Sequence, residues 1–283
     1  MMLFKQATII GLGLIGGSLG KDLLKRKLAQ RVIGYDVSKK HLKLAKQEKL
    51  ISKVESSLEE AVKGSSLVVI AVPVRAIPKL LKELKIIASE NTLIIDVGST
   101  KKTIMQSALK SFPQGNFVGC HPMAGSESSG PQAARLGLFE KAPCLIVPAK
   151  NSKKKYIDQV KVLWGKLGAK AMIMPEADHD KYLAAVSHLP HVLSFSMMHS
   201  VAKKLDLATI RKIAGPSFKS YTRIAGSDAV MWRDIFLENR TSILNTVRSY
   251  QKELGKLEGM LTKENESGIQ SYLEGSRKLW EKV

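Results

Sequence analysis

The chain has 283 residues, 44% of them hydrophobic, and a mean hydropathy of −0.05; it is long enough for two packed domains, and no apolar run approaches the roughly 18 residues of a membrane span. Two cysteines, Cys120 and Cys144, supply no disulfide framework and point to a reducing, cytoplasmic compartment, and the first patterned segment starts too early to leave space for a cleavable leader. The formal net charge is +20, and the basic excess lies almost wholly before residue 175, which favours encounter with anionic small molecules. Its lysines are scattered over helix patterns with no interleaved aromatics, which argues against a specific nucleic-acid partner.

Ala7-Thr8-Ile9-Ile10 reads as a buried strand that runs directly into Gly11-Leu12-Gly13-Leu14-Ile15-Gly16, followed by a helix pattern from Ser18 to Leu28. Strand, G-x-G-x-x-G and helix in immediate succession is a dinucleotide-binding arrangement. Gly11 permits the tight turn, Gly13 lets the backbone approach a pyrophosphate, and Gly16 lets helix and strand pack closely. The helix N-terminus around Leu14 and Ile15 offers unpaired N–H groups to the phosphates. A second strand, residues 32–35, ends on Asp36, whose carboxylate can bind a ribose 2′-hydroxyl and would repel a 2′-phosphate. NAD is therefore the expected cofactor, with Lys39 and Lys40 close enough to soften the preference over NADP.

Helix patterns at 39–48 and 57–63 precede a strand at 67–72, which Pro73 stops; a helix at 77–87 follows. Strand 93–97 leads into Gly98-Ser99-Thr100-Lys101 and a helix at 103–109, and short strands at 117–119, 145–147 and 171–174 complete the alternation. The fold expected for residues 1–174 is α/β, a Rossmann-type, doubly wound, mostly parallel sheet whose ligands lie outside the strand C-termini. Ser99 and His121 both follow strand ends, with His121 expected on the Gly-rich loop His121-Pro122-Met123-Ala124-Gly125-Ser126-Glu127. An imidazole there suits acid/base work near neutral pH. Cys120 reads as a small buried apolar residue rather than a nucleophile.

From 175 to 283 the pattern becomes all-helical. A helix pattern at 177–204 contains His188-Leu189-Pro190-His191, and Pro190, unable to donate to the Val186 carbonyl, predicts a kink or break. His188 and His191 have no acidic or cysteine partner at a recognised spacing, so no metal site is expected. Ile243, Val247, Tyr250, Leu254, Leu257 and Leu261 recur with a period of about 3.5, which suits either an intrachain core or a dimer seam.

Five segments in this order resemble one family. They are GLGLIGGS from Gly11, Val97-Gly98-Ser99-Thr100-Lys101, the HPMAGSE stretch from His121, Ala185-Val186-Ser187-His188-Leu189-Pro190-His191, and Tyr221-Thr222-Arg223-Ile224-Ala225 with Met231-Trp232-Arg233-Asp234-Ile235-Phe236. Over nearly its whole length the chain resembles the prephenate/arogenate dehydrogenases of tyrosine biosynthesis. The resemblance implies NAD-dependent oxidative decarboxylation of prephenate to 4-hydroxyphenylpyruvate, or of arogenate to tyrosine. It also implies a homodimer formed through a helical C-terminal dimerisation domain, residues 175–283, that closes the site, with no membrane partner.

By the same resemblance His121 acts on the substrate's C4 hydroxyl, and Ser99 hydrogen-bonds that hydroxyl or orients the His121 ring. Arg223, whose planar fork matches a carboxylate, anchors the substrate beside His191. Glu127 orients a loop or forms a gating ion pair, and Trp232 walls the site or fills core. Arogenate-selective relatives tend to carry an acid near the position of Val230; here the nearest is Asp228, which favours prephenate. Other two-domain NAD(P)-linked reductases would place a lysine or aspartate in the helical part, and a non-catalytic NAD-binding sensor would not need His121 together with Arg223.

Overall fold

The computed structural model describes residues 2–126 and 128–283. Its first part alternates β1 (Phe4–Ile10), α1 (Leu14–Lys25), β2 (Ala29–Tyr35), α2 (Lys39–Gln47), β3 (Lys53–Val54), α3 (Leu58–Val62), β4 (Leu67–Ile70), α4 (Ile77–Ile87), β5 (Leu93–Asp96), α5 (Lys102–Ser111), β6 (Phe117–Pro122), β7 (Pro143–Pro148), α6 (Lys154–Lys166) and β8 (Lys170–Ile173). The strands form one sheet in the order β3-β2-β1-β4-β5-β6-β7-β8, with every pairing parallel except β6 with β7. The central strands are Val/Ile runs without polar alternation, because helices cover both faces. One buried cluster gathers Leu19, Leu23, Phe139 and Trp164 on one side, and a second gathers Leu81, Leu84, Ile104 and Phe112 on the other.

In the sheet, two details depart from the elements read in the sequence. The strand expected at 117–119 continues to Pro122, because antiparallel β7 pairs His121 with Leu145 and Pro122 with Cys144. His121 is therefore held in a strand rather than on a Gly-rich loop. The two-residue strand β3 lacks a patterned run long enough to announce it.

After Pro175 the chain is helical: α7 (Glu176–Leu183), a π-helical turn (Ala184–His188), α8 (Leu189–Lys204), α9 (Leu207–Ile213), α10 (Pro216–Thr222), α11 (Ala229–Glu238), α12 (Arg240–Thr262) and α13 (Glu266–Trp280). The irregularity expected at Pro190 falls one turn earlier, in the π-helical turn, from which α8 continues without a break. Ile243 of the 3.5-residue repeat is buried, but Leu254 and Leu261 are 53% and 59% exposed. No helix among the described residues is long and apolar enough to cross a membrane.

Among the described residues the two parts meet at several places. Val74, just past β4, packs with Trp232 and Ile235 of α11. Arg75 lies 3.5 Å from Glu238. Asp180 of α7 accepts hydrogen bonds from the backbone N–H groups of Lys101 and Lys102 at the start of α5.

Candidate active site

The glycine loop has the shape a dinucleotide requires. Gly11 has φ +92°, and a Cβ there would lie 2.3 Å from the Ala71 carbonyl oxygen; one on Gly16 would lie 1.9 Å from the Gly11 carbonyl oxygen. No side chain fits at either. A Cβ on Gly13 would meet nothing within 4 Å, so the loop is open on the side where a pyrophosphate approaches. Gly13 also gives α1 no side-chain cap, which leaves first-turn N–H groups at Leu14 and Ile15 for an anion.

Asp36 is fixed against this loop. One carboxylate oxygen accepts the Leu12 N–H at 2.8 Å and the other accepts the Ser38 N–H at 2.8 Å. The oxygen that accepts from Ser38 keeps a further lone pair for a ribose hydroxyl. His41, which the sequence reading passed over, brings its Nδ1 within 3.3 Å of the same carboxylate. These residues fit NAD.

Ser99 sits half-buried on the loop after β5. A fully buried Lys101 shapes that loop, its Nζ donating to Asp96 Oδ2 at 2.7 Å and to the Gly98 carbonyl at 2.6 Å, while the Gly98 N–H donates to the same carboxylate. A buried ion pair of this kind specifies geometry more than it adds net stability. No hydrogen bond joins Ser99 to His121 among the described residues, so the expected orientation of the ring by Ser99 is absent here.

The ring has another partner. His121 Nδ1 lies 3.0 Å from His179 Nε2, and His179 Nδ1 lies 2.7 Å from Asp180 Oδ1. Burial, reinforced by His179, Lys101 and His188, pushes the His121 pKa well below its usual value, so the ring is neutral at neutral pH. Its Nε2 has no protein partner among the described residues. Burial also pushes the Cys120 thiol up to about 12, which leaves no thiolate for nucleophilic work.

In the helical part, His191 donates from Nδ1 to the Ser187 carbonyl at 3.0 Å and stacks on Trp232 with ring centroids 3.6 Å apart. Burial lowers its pKa, and Arg223 is near enough for its charge to lower it further. Arg223 itself is exposed, in the single 3₁₀ turn that follows α10. Trp232 is buried, with His191 on its face and His188 at its edge, so it supports the site's histidines from within the core. Asp228, the acid considered for arogenate, caps α11 by accepting the Met231 N–H at 2.7 Å. Glu127 lies outside the described residues. No group of three or more metal-ligating side chains converges among those described.

His121 and Ser99 thus share the C-terminal edge of the sheet with the glycine loop, while His191 and Arg223 lie together on the helical part. Sequence reasoning missed His179 and Asp180, which are 58 and 59 residues beyond His121. The available signal was an acid directly after an imidazole, one turn past Pro175.

Comparison with known proteins gives the family. The family model for the prephenate dehydrogenase nucleotide-binding domain matches residues 19–173, and that for the prephenate dehydrogenase dimerization domain matches residues 175–275. The prephenate dehydrogenase of Bacillus subtilis (strain 168) is 34% identical over 272 residues, 95% of this chain and 73% of that protein. That of Lactococcus lactis subsp. cremoris is 31% identical over 281 residues, 97% of this chain and 76% of that protein. Among solved structures, A. aeolicus prephenate dehydrogenase in complex with hydroxyphenyl propionate and NAD+ superposes with a TM-score of 0.91 at 30% identity, covering 100% of this chain and 98% of that one. With a dinucleotide loop, a neutral buried imidazole at the same sheet edge and full-length similarity of this kind, the chain belongs to the prephenate dehydrogenase family.

Proposed function

We propose that this protein catalyses the NAD-dependent oxidative decarboxylation of prephenate to 4-hydroxyphenylpyruvate. The observation that carries the reading is His121: a neutral imidazole, fixed through Nδ1 and free at Nε2, at the strand end where a cofactor on the glycine loop would present its ring. NAD, when bound, supplies the acceptor for the hydride that leaves C4. His121 Nε2 takes the C4 hydroxyl proton as that oxygen becomes a carbonyl, and the ring carboxylate leaves as CO2 while the ring becomes aromatic. The proton then returns from His121 to that oxygen, now the phenol's, so the net change is the loss of one hydride and one CO2.

The remaining residues bind and orient. Ser99 hydrogen-bonds the C4 oxygen. Arg223 holds a substrate carboxylate through its planar fork, with His191 beside it. Gly11, Gly13, Leu14, Ile15 and Gly16 cradle the pyrophosphate, and Asp36 holds the ribose. The working units divide between residues 174 and 175. The helical unit pairs with a second copy through apolar positions exposed in the single chain, among them Leu254, Leu261 and Leu273, and the enzyme works in the cytoplasm.

The test is NADH or NADPH formation, followed by absorbance, with purified protein and each pairing of prephenate or arogenate with NAD or NADP. Turnover of prephenate with NAD is expected. Turnover of arogenate alone would keep the mechanism and reverse the substrate assignment, and no turnover in protein that binds NAD would overturn the reading.

A further inference from the structure

We infer that His179 and Asp180 are positioning residues that fix the tautomer of His121, with the proton on Nδ1 and a bare lone pair on Nε2. The inference rests on the assignment of His121 as the base. It begins at Asp180, whose Oδ1 accepts the Lys101 N–H at 2.8 Å and whose Oδ2 accepts the Lys102 N–H at 3.0 Å. Backbone N–H groups can only donate, and these two open α5, where the helix dipole favours negative charge. Asp180 is therefore a carboxylate. Burial opposes its ionisation, but the hydrogen bonds from His179 and from those two N–H groups outweigh burial and hold the carboxyl below its usual range.

A carboxylate can only accept, so His179 Nδ1, 2.7 Å from Oδ1, carries a proton. Burial and the neighbouring Lys101 ammonium disfavour a second proton on His179 more than Asp180 and Asp96 favour it. The ring is neutral, and its Nε2 is an acceptor. His121 Nδ1, 3.0 Å away, must then donate to it. One consistent assignment remains for the chain of three groups, and it leaves His121 Nε2 bare. A protonated His179 would reverse the last bond and put the His121 proton on Nε2, where it would block proton uptake.

The relay crosses the molecule's two parts. His121, Lys101 and Lys102 belong to the sheet domain, whereas His179 and Asp180 stand on α7. Asn239, at the junction of α11 and α12, holds α7 in place by donating to the Asp180 carbonyl at 2.6 Å and to His188 Nδ1 at 3.1 Å. The basic tautomer of His121 therefore depends on correct docking of the helical domain.

The experiment compares Asp180→Ala with the wild-type enzyme. Without the carboxylate nothing holds the proton on His179 Nδ1, so both rings are released to the Nε2–H form that a free imidazole prefers. The expected result is a fall in kcat of ~10²–10⁴, as a wrong-tautomer substitution gives in a serine-protease triad. The KM for prephenate should stay within roughly threefold. In ¹⁵N histidine spectra, His121 should change from Nδ1–H to Nε2–H. A second pair guards against loss of folding when the α5 cap is weakened. His179→Gln can accept from His121 and donate to Asp180, so it should keep activity that His179→Leu loses.

An unchanged His121 tautomer in Asp180→Ala, a kcat within roughly threefold of wild type, or equal activity in the two His179 variants would overturn the relay. Wild-type protein that binds NAD but does not oxidise prephenate would instead overturn the function reading, and the spectra would still decide the tautomer.

Discussion

The sheet domain and the helical domain differ in how completely each buries its own apolar residues. In the first, β-strands of continuous Val and Ile are covered on both faces, and large side chains such as Trp164, Phe139, Phe112 and Leu19 are nearly inaccessible. In the second, the buried apolar residues are few, chiefly Leu183, Trp232, Ile235 and Ile243, while Leu207, Ile213, Leu254, Leu261 and Leu273 are more than half exposed. A sheet with helices on both sides closes its core within one chain, whereas helices with broad apolar stripes need further surface to pack against. The difference divides the proposed labour: a self-sufficient platform carries the cofactor loop and His121, and a domain completed by a second copy carries Arg223 and His191 over it.

The largest effect should come from breaking the helical seam. Replacing Leu254 and Leu261 together by Glu removes burial that contributes ~1.5–3 kcal/mol per leucine, and two-fold symmetry doubles the loss. Sedimentation should then show a monomer that still binds NAD through an intact sheet domain; a persistent dimer would remove this stripe from the interface. Arg223→Ala should act on substrate alone, raising the KM for prephenate by the equivalent of ~2–4 kcal/mol with cofactor affinity unchanged. An unaltered KM would take Arg223 out of the site.

Acid should strike the junction between the domains. Burial lowers the pKa of His188 to about 4 and those of His179 and His121 below the ordinary value. In the unfolded chain these imidazoles titrate near ~6.5, so the unfolded state takes up protons first as pH falls. Stability is fully present above that pH and is lost on the way down to the folded values, ~2 kcal/mol for His188 alone between pH 7 and pH 5. Denaturant midpoints at the two pH values measure this loss, and equal midpoints would contradict it.

The sheet domain was the more legible in sequence for the same reason that it is the more complete. Strand runs such as Leu67 to Ile70 and the turn at Gly11 are determined by local pattern and by steric demands that only glycine meets. The extension of β6 through His121 to Pro122 was not legible, because it depends on an antiparallel partner more than twenty residues away. The same holds for the chemistry. His121 and the Asp36 carboxylate follow recognisable strand ends, but the partner that holds the His121 ring comes from α7 and exists only after the domains dock. Pro190 signalled an irregularity, yet the π-helical turn absorbed it upstream, where a widened turn places His188 against Asn239.

The most direct test of the central claim is steady-state kinetics of His121→Ala with saturating prephenate and NAD. The account predicts a kcat lower by ~10²–10⁴, the usual contribution of a general base, with NAD affinity and the KM for prephenate nearly unchanged. A kcat that holds while KM rises would contradict it and move His121 from proton transfer to substrate binding.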